Sequence, residues 1–224
     1  MAITATAGNA TGSIAPRRPS WADMHTHYPG KEIETEELYT KIGNQFKGAH
    51  KHSWMENTCA VRMSYALLRS GFGLSRTSDP AASKLGADKR WYWLRVADLR
   101  AELVARFKGF DAELSFELLD TALAEDEDAL TVQFEARKAK ATEFFKTHLL
   151  SKNGIIVFKV EGWSNATGHF TLWDGTARKL AFANDHDDPQ SRSFYPWLTT
   201  VGINKETKKK FLVQVQHIQF WELK

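Results

Sequence analysis

The sequence predicts an α+β fold, with helices in the earlier part of the chain and strands in the later part. Two patterns indicate this class. Up to about residue 150, apolar residues recur at the three- and four-residue spacing of amphipathic helices. From Gly154 onward, segments rich in β-branched and aromatic residues alternate with turn-like segments. Helices followed by strands are typical of a helical layer packed on an antiparallel sheet.

The composition is that of a globular domain with a sizeable core. Of the 224 residues, 42% are hydrophobic and 25% are charged, and the mean hydropathy is −0.43. No apolar stretch is long enough to cross a bilayer, so we expect no membrane insertion. The length fits one domain, which we place at residues 21–224.

Residues 1–20 differ from the rest of the chain in composition. They are rich in Ala, Thr, Gly and Ser, and they lack the early basic residue and apolar core of a secretory signal. We therefore expect a flexible N-terminal arm over residues 1–20 and no Sec export.

The charge pattern argues against a nucleic-acid partner. The formal net charge is +3, and the basic residues are scattered apart from Lys208, Lys209 and Lys210. Nucleic-acid-binding proteins usually carry a clustered basic face, so we expect no nucleic acid to bind. Attraction to an anionic polymer such as cell wall still fits this charge.

Cys59 is the one cysteine of the chain. A single cysteine excludes an internal disulfide and a thiolate cluster for zinc, which leaves a buried hydrophobic residue, an unused thiol or a nucleophile. The pairs His25/His27 and His50/His52 lack supporting carboxylate or cysteine spacing. We therefore expect no metal site and no cofactor.

Three segments have the apolar spacing of core helices: Glu34–Phe46, Cys59–Gly71 and Val96–Phe107. In the second, Asn57 or Thr58 can cap the front, and the final glycine is a plausible C-cap. Residues 111–150 are predicted to be mostly helical. The predicted strands are Gly154–Val160, Gly168–Trp173, Leu180–Ala183, Phe211–Val215 and Ile218–Leu223.

Cys59 lies in the first turn of its predicted helix, where a thiol can act as a nucleophile. The free N–H groups and dipole of a helix start stabilise a thiolate, and one such N–H can help form an oxyanion hole. The thiol also needs an imidazole to take its proton and return it to the leaving amine. His169 is the leading candidate because it opens a predicted strand. The alternative is a buried cysteine with a hydrogen-bonded core histidine.

Three segments resemble a known family: Asn57–Leu67 (NTCAVRMSYAL), Gly154–Phe158 (GIIVF) and Gly162–Gly175 (GWSNATGHFTLWDG). They closely resemble the fourth family of type VI secretion amidase effectors, which are papain-related, NlpC/P60-like enzymes. Arg95–Leu99 is a weaker match between them. The likeness covers roughly residues 54–73 and the chain from residue 154 to its end.

This resemblance implies a papain-like α+β fold in which the nucleophile Cys59 starts a helix packed on an antiparallel sheet that carries the base, His169. The helical segment at about residues 111–150 exceeds the family pattern and is expected to be an insertion. The implied activity is that of a DL-endopeptidase, which hydrolyses the bond between γ-D-glutamate and meso-diaminopimelate in peptidoglycan. The resemblance also implies delivery by the type VI apparatus into a rival's periplasm, and a dimeric helical immunity protein in the producer.

In the family, an aspartate shortly after the histidine orients the imidazole, and we place this role at Asp185. Its distance in sequence from the histidine is longer than the family pattern, so Asn184, Asp187 and Asp174 stay open as alternatives. Asp174 precedes a glycine, which also suits a turn.

Trp54, Asn57 and Trp163 are the candidate substrate-binding residues, because they flank the two catalytic segments. Two other functions use the same residues or fold. One is a papain-like protease or deamidase acting on a protein, and the other is a non-catalytic wall-binding module. The paired cysteine and histidine favour an enzyme over the module.

Overall fold

The structure is a computed structural model that describes residues 3–7, 10–14, 18–52 and 55–224. The chain divides into two compact units. The first extends to Phe110 and includes Leu223 and Lys224, and the second is Asp111–Glu222. This division does not test the prediction of a single domain over residues 21–224. No helix in the described ranges is long and apolar enough to span a bilayer.

The first unit contains short strands and helices. Its strands are β1 (Ile3–Ala7), β2 (Ala10–Ile14), β3 (Ser83–Leu85) and β4 (Trp91–Trp93). Its helices are α1 (Trp21–His27), α2 (Thr35–Ile42), α3 (Cys59–Arg69) and α4 (Val96–Phe107). β1 pairs with β2 inside the predicted arm, and β3 pairs with β4, both antiparallel. The predicted flexibility of the arm stays a prediction.

The helix predicted over Glu34–Phe46 is interrupted at Gly43. This glycine has φ +66°, which ends α2, and a 3₁₀ turn follows over Asn44–Phe46. Leu38, Ile42 and Phe46 are all buried, as the four-residue spacing predicts.

α3 is the most buried helix of this unit, and its sequence explains its C-terminal end. Nine of its eleven residues are buried. Gly71 has φ +82°, and the N–H groups of Gly71 and Phe72 donate to the carbonyls of Leu68 and Leu67. This is a Schellman ending, so the predicted terminal glycine closes the helix. At the front, Thr58 is the N-cap residue but makes no side-chain capping hydrogen bond.

The second unit is built on a six-stranded antiparallel sheet. Its strands are β5 (Ala112–Ser115), β6 (Gly154–Glu161), β7 (Gly168–Asp174), β8 (Lys179–Leu180), β9 (Thr199–Ile203) and β10 (Lys210–Glu222). Their order is β5-β10-β6-β7-β8, and β9 pairs with the first part of β10. β6 and β7 agree with the sequence prediction to within one residue at their ends.

Residues 111–150 are mostly helical, as predicted, but the segment begins with a strand that was not predicted. Ala112–Ser115 is β5, which pairs with β10 at the edge of the sheet. The helical part consists of a 3₁₀ turn over Thr121–Glu125, α5 (Glu127–Phe144) and a π-helical turn over Phe145–Leu149. A four-residue strand carries little periodicity, so only its pairing with β10 identifies it.

The last strands also differ from prediction. Phe211–Val215 and Ile218–Leu223 belong to one strand, β10, whose register shifts at a bulge between Val215 and His217. β9 was not predicted, and β8 has only two residues where Leu180–Ala183 was expected. A bulge interrupts the alternation of buried side chains, and the sequence therefore reads as two strands.

Arg137 of α5 is a buried cation that holds the bulge of β10. Its guanidinium donates to the carbonyls of Val215 and Glu117 and lies 4.3 Å from the ring centre of Phe116. Burial lowers the pKa of Arg137 to about 10. A bulge disturbs the regular hydrogen bonding of a strand, and the Arg137 guanidinium gives the Val215 carbonyl beside this bulge a donor.

The core of the second unit lies between the sheet, α5 and the segment before β9. The buried side chains that form it include Phe134, Phe144, Ile156, Phe158, Trp173, Tyr195, Leu198, Val215, Ile218 and Phe220. Phe158 and Tyr195 of this core lie beside His169 on the sheet.

Gly168 opens β7 at a place where two strands approach closely. A Cβ atom on this residue would lie 2.1 Å from the carbonyl oxygen of Phe158. Real Cβ atoms do not come this close to main-chain oxygen, so only glycine fits here without moving the strands apart.

We predict that Gly168→Ala lowers the free energy of unfolding by about 3 kcal/mol, because the added methyl group forces β6 and β7 apart. Gly73→Ala is the matched control, since a Cβ on Gly73 meets no atom within 4 Å. The control should change stability by less than about 0.5 kcal/mol. Chemical denaturation measures both, and equal midpoints for the two variants would contradict the close approach.

Candidate active site

Cys59 is the first residue of α3, as predicted, and it is 7% exposed. The N–H groups of the first helical turn have no acceptor within the helix, and they point out of the helix at its N-terminal end. A thiolate at this position is stabilised by these groups and by the helix dipole. The position therefore suits a nucleophile.

Arg62 holds the chain around the start of α3. It is 2% exposed, and its Nε donates to the hydroxyl of Thr58, the residue directly before Cys59, at 2.9 Å. Its two terminal nitrogens donate to the carbonyls of Pro29, Gly30 and Ile33 at 2.7–3.0 Å. One buried guanidinium thus joins the helix that Cys59 begins to the loop after α1. Burial lowers the pKa of Arg62.

Tyr39 of α2 holds the segment on the other side of Thr58. Its hydroxyl donates to the carbonyl of Met55 at 2.6 Å. Burial raises the pKa of Tyr39 well above its usual range, while the nearby Arg62 lowers it. The neutral phenol therefore remains a hydrogen-bond donor. Two buried side chains fix the segment that leads into Cys59.

His169 is the second residue of β7 and is 4% exposed. It pairs across the sheet with Phe158 of β6. Because side chains alternate along a strand, His169 and Thr171 lie on the same face of β7. The predicted strand start is therefore confirmed, and the imidazole is held on a defined face of the sheet.

The Nε2 atom of His169 lies 2.7 Å from the carbonyl oxygen of Phe182. A carbonyl oxygen only accepts hydrogen bonds, so Nε2 must carry the proton. In the neutral ring, the lone pair is then on Nδ1. This contact fixes which nitrogen can act as the base.

Tyr195 covers the imidazole. Its ring is stacked on His169 with centroids 4.3 Å apart and an interplanar angle of 11°, and it also stacks on Phe158. Trp163 and His186 contact the same tyrosine, at centroid distances of 6.1 Å and 4.6 Å. These five side chains form one aromatic cluster around the candidate base.

Asp185, predicted to orient the imidazole, makes no such contact. It lies in a 3₁₀ turn over Asn184–His186 and is exposed, and within the described part of the chain its carboxylate forms no hydrogen bond or ion pair. Asn184 and Asp187 are exposed as well. The oxygen beside Nε2 is instead the Phe182 carbonyl, because the chain passes His169 before it reaches these side chains.

Asp174 lies in a turn, which was the predicted alternative to its orienting the imidazole. Its Oδ1 accepts hydrogen bonds from the N–H groups of Thr176 and Ala177 at 2.9 Å and 2.8 Å. It ends β7, whereas His169 lies at the start. The length of strand between them excludes a direct contact.

The three predicted substrate-binding residues have different outcomes. Trp54 lies outside the described residues. Asn57 is exposed and precedes Cys59 by two positions. Trp163 is half-buried and packs in the aromatic cluster beside Tyr195. Substrate contact by each of them stays a prediction.

Sequence reasoning missed Phe182, Thr171 and Tyr195 as neighbours of His169. One signal was present: Thr171 is a polar residue between the apolar Phe170 and Leu172, and it is fully buried. A buried hydroxyl needs a partner, which here is the N–H of Phe182 at 2.9 Å. No sequence pattern indicates the Phe182 carbonyl, since every residue has one.

The fold combines helices with an antiparallel sheet. A buried cysteine begins one helix, and a buried histidine lies at the start of one strand. These features together are typical of an NlpC/P60-like hydrolase. Comparison with known families agrees. The model of type VI secretion system amidase effector protein 4, Tae4, matches residues 55–221, more than half of the chain. The chain belongs to this family of peptidoglycan-hydrolysing amidases.

Solved structures with the same fold include members of this family from two bacteria. The Tae4–Tai4 effector–immunity complex from Enterobacter cloacae has a TM-score of 0.60 at 23% identity, covering 93% of this chain and 100% of that one. The E. cloacae effector alone has a TM-score of 0.59 at 23% identity, covering 94% and 100%. Tae4 from Salmonella typhimurium, in complex with Tai4 from E. cloacae, has 0.58 at 22%, covering 92% and 100%. Among curated proteins, no match is found.

We predict that Arg62→Met lowers the free energy of unfolding by about 3 kcal/mol, because it leaves the carbonyls of Pro29, Gly30 and Ile33 without this donor. Arg69→Met is the matched control in the same helix. Arg69 is 36% exposed and pairs with Asp88 at 3.4 Å, so its loss should cost about 1 kcal/mol or less. Urea denaturation measures the difference, and equal losses would show that Arg62 does not hold this segment.

Proposed function

We propose that Cys59 is the nucleophile and His169 the general base of an amidase that hydrolyses the γ-D-glutamyl–meso-diaminopimelate bond of peptidoglycan. The observation that carries the proposal is the family match, because residues 55–221 include both side chains. The positions of the two residues agree with these roles. One starts a buried helix, and the other carries its proton on Nε2, which leaves Nδ1 to accept a proton.

The reaction follows from these two groups. His169 takes the proton of the Cys59 thiol, and the thiolate attacks the carbonyl carbon of the γ-glutamyl amide. The N–H groups of the first turn of α3, which have no acceptor within the helix, are suited to bind the oxyanion of the tetrahedral intermediate. His169 then gives the proton to the departing amine of diaminopimelate. Water hydrolyses the resulting thioester, with the imidazole again acting as base, which restores the thiol.

The proposal includes delivery and an immunity partner. As a type VI effector, the chain would act in the periplasm of a neighbouring Gram-negative cell, where peptidoglycan is exposed. The solved Tae4 relatives form complexes with the immunity protein Tai4. We infer that the producing cell makes a corresponding immunity protein, expected to be a helical dimer, that blocks the enzyme.

We predict that Cys59→Ala reduces hydrolysis of meso-diaminopimelate-type peptidoglycan by at least about a thousandfold, because the acyl-enzyme route is lost. His169→Ala should cause a comparable loss, while His148→Ala, which changes an exposed histidine in the same unit, should not. Mass spectrometry of muramidase-digested fragments identifies the bond that is cut. A folded Cys59→Ala protein with normal turnover would contradict the proposal.

The site of toxicity separates peptidoglycan from a protein substrate. We predict that expression with an added periplasmic export signal lyses Gram-negative cells, whereas cytoplasmic expression does not, because the substrate lies outside the inner membrane. The Cys59→Ala variant should be harmless in both compartments. Growth and microscopy after induction measure this. Killing from the cytoplasm alone would instead support a protease or deamidase acting on a protein.

A further inference from the structure

We propose that the main-chain carbonyl of Phe182, held by Thr171 and covered by Tyr195, orients the imidazole of His169 in the place that the family resemblance gives to a carboxylate. The inference rests on the proposed function, in which His169 is the base. It makes Phe182, Thr171 and Tyr195 positioning residues, and it assigns no catalytic role to Asp185.

The position of the carbonyl follows from the hairpin of β7 and β8. Asp174 closes the turn, and the strands pair Trp173 with Leu180. Continuing this register places Phe182 opposite Thr171, which is two residues after His169 in β7. The Thr171 hydroxyl accepts the N–H of Phe182 at 2.9 Å, so the peptide unit is held from the strand that also carries the base.

The contact selects one tautomer and keeps it through the proton transfer. With its proton on Nε2 donated to Phe182, neutral His169 can accept a proton only at Nδ1. When Nδ1 takes the thiol proton, the Nε2–H bond to the carbonyl becomes charge-assisted and stronger. Nε2 keeps its proton when Nδ1 releases the transferred proton to the leaving amine.

Tyr195 restricts the rotation of the imidazole and stabilises its charged form, which a neutral carbonyl does less well than a carboxylate. Its ring lies nearly parallel to the imidazole. It also stacks on Phe158 and packs in the buried core, and these contacts keep it in place. A stacked ring prevents rotation about the Cβ–Cγ bond, and its electron-rich face favours a cation. The imidazolium is therefore stabilised without an adjacent carboxylate.

The tautomer can be measured without any substrate. In full-length Cys59→Ala protein with ¹⁵N-labelled histidine, NMR at a pH where the ring is neutral reports which nitrogen carries the proton. His169→Gln identifies the signal. We expect the Nε2–H form for His169, and the Nδ1–H form would overturn the proposal.

Kinetics on the peptidoglycan fragments test the positioning role. We expect Thr171→Val to lower kcat by about tenfold or more with little change in KM. The variant loses the hydroxyl that holds the peptide unit of Phe182, so the Phe182 carbonyl no longer fixes the imidazole of His169. Thr171→Ser keeps the hydroxyl and should restore most of the rate. Thr200→Val makes the same change in β9 of the same sheet and should alter kcat by less than about twofold.

Asp185→Asn separates this arrangement from one with an orienting carboxylate. We expect a change in kcat of about twofold or less, in line with an exposed side chain. A loss at Asp185→Asn as large as that of Thr171→Val, or a Thr171→Val variant that behaves like Thr200→Val, would overturn the proposal. If the wild-type protein cleaves no peptidoglycan, the proposed function fails, while the tautomer measurement still tests the orientation of His169.

Discussion

The pairing of β6 with β7 is the constraint on which the rest of the second unit depends. Gly168 permits it, because any side chain there would meet the main chain of β6 at Phe158. A shift of one residue in this register would move every side chain of β7 to the other face of the sheet. His169 would then leave the face that carries Phe158, and Tyr195 could no longer stack on both rings. One close approach of two strands therefore determines where the candidate base lies.

Main-chain carbonyls accept the hydrogen bonds of a buried side chain next to each candidate residue or of the candidate itself. Arg62 donates to the carbonyls of Pro29, Gly30 and Ile33, and His169 donates to that of Phe182. A carbonyl is placed by the path of the chain and not by the identity of its side chain. The identity of the side chain at Phe182 or Gly30 therefore matters less for these contacts than the path of the main chain there.

The helical segment between residues 111 and 150 is part of the architecture of the second unit. β5 pairs with β10, and α5 covers the sheet with Phe134 and Phe144. Arg137 reaches from α5 to the bulge in β10, where its guanidinium donates to the carbonyl of Val215. The segment thus stabilises the longest strand of the sheet.

The sequence by itself determined the class of fold, the helix that Cys59 begins, the strand that His169 opens and the family. These depend on local periodicity, on a terminal glycine and on short motifs, all of which can be read along the chain. Only the tertiary structure decided that β5 is a strand, that β10 is continuous through a bulge, and that Phe182 and not Asp185 lies beside Nε2 of His169. The physical reason is common to all three: a short edge strand, a bulge and a carbonyl contact are defined by hydrogen bonds between distant main-chain groups, and main-chain groups are the same in every residue.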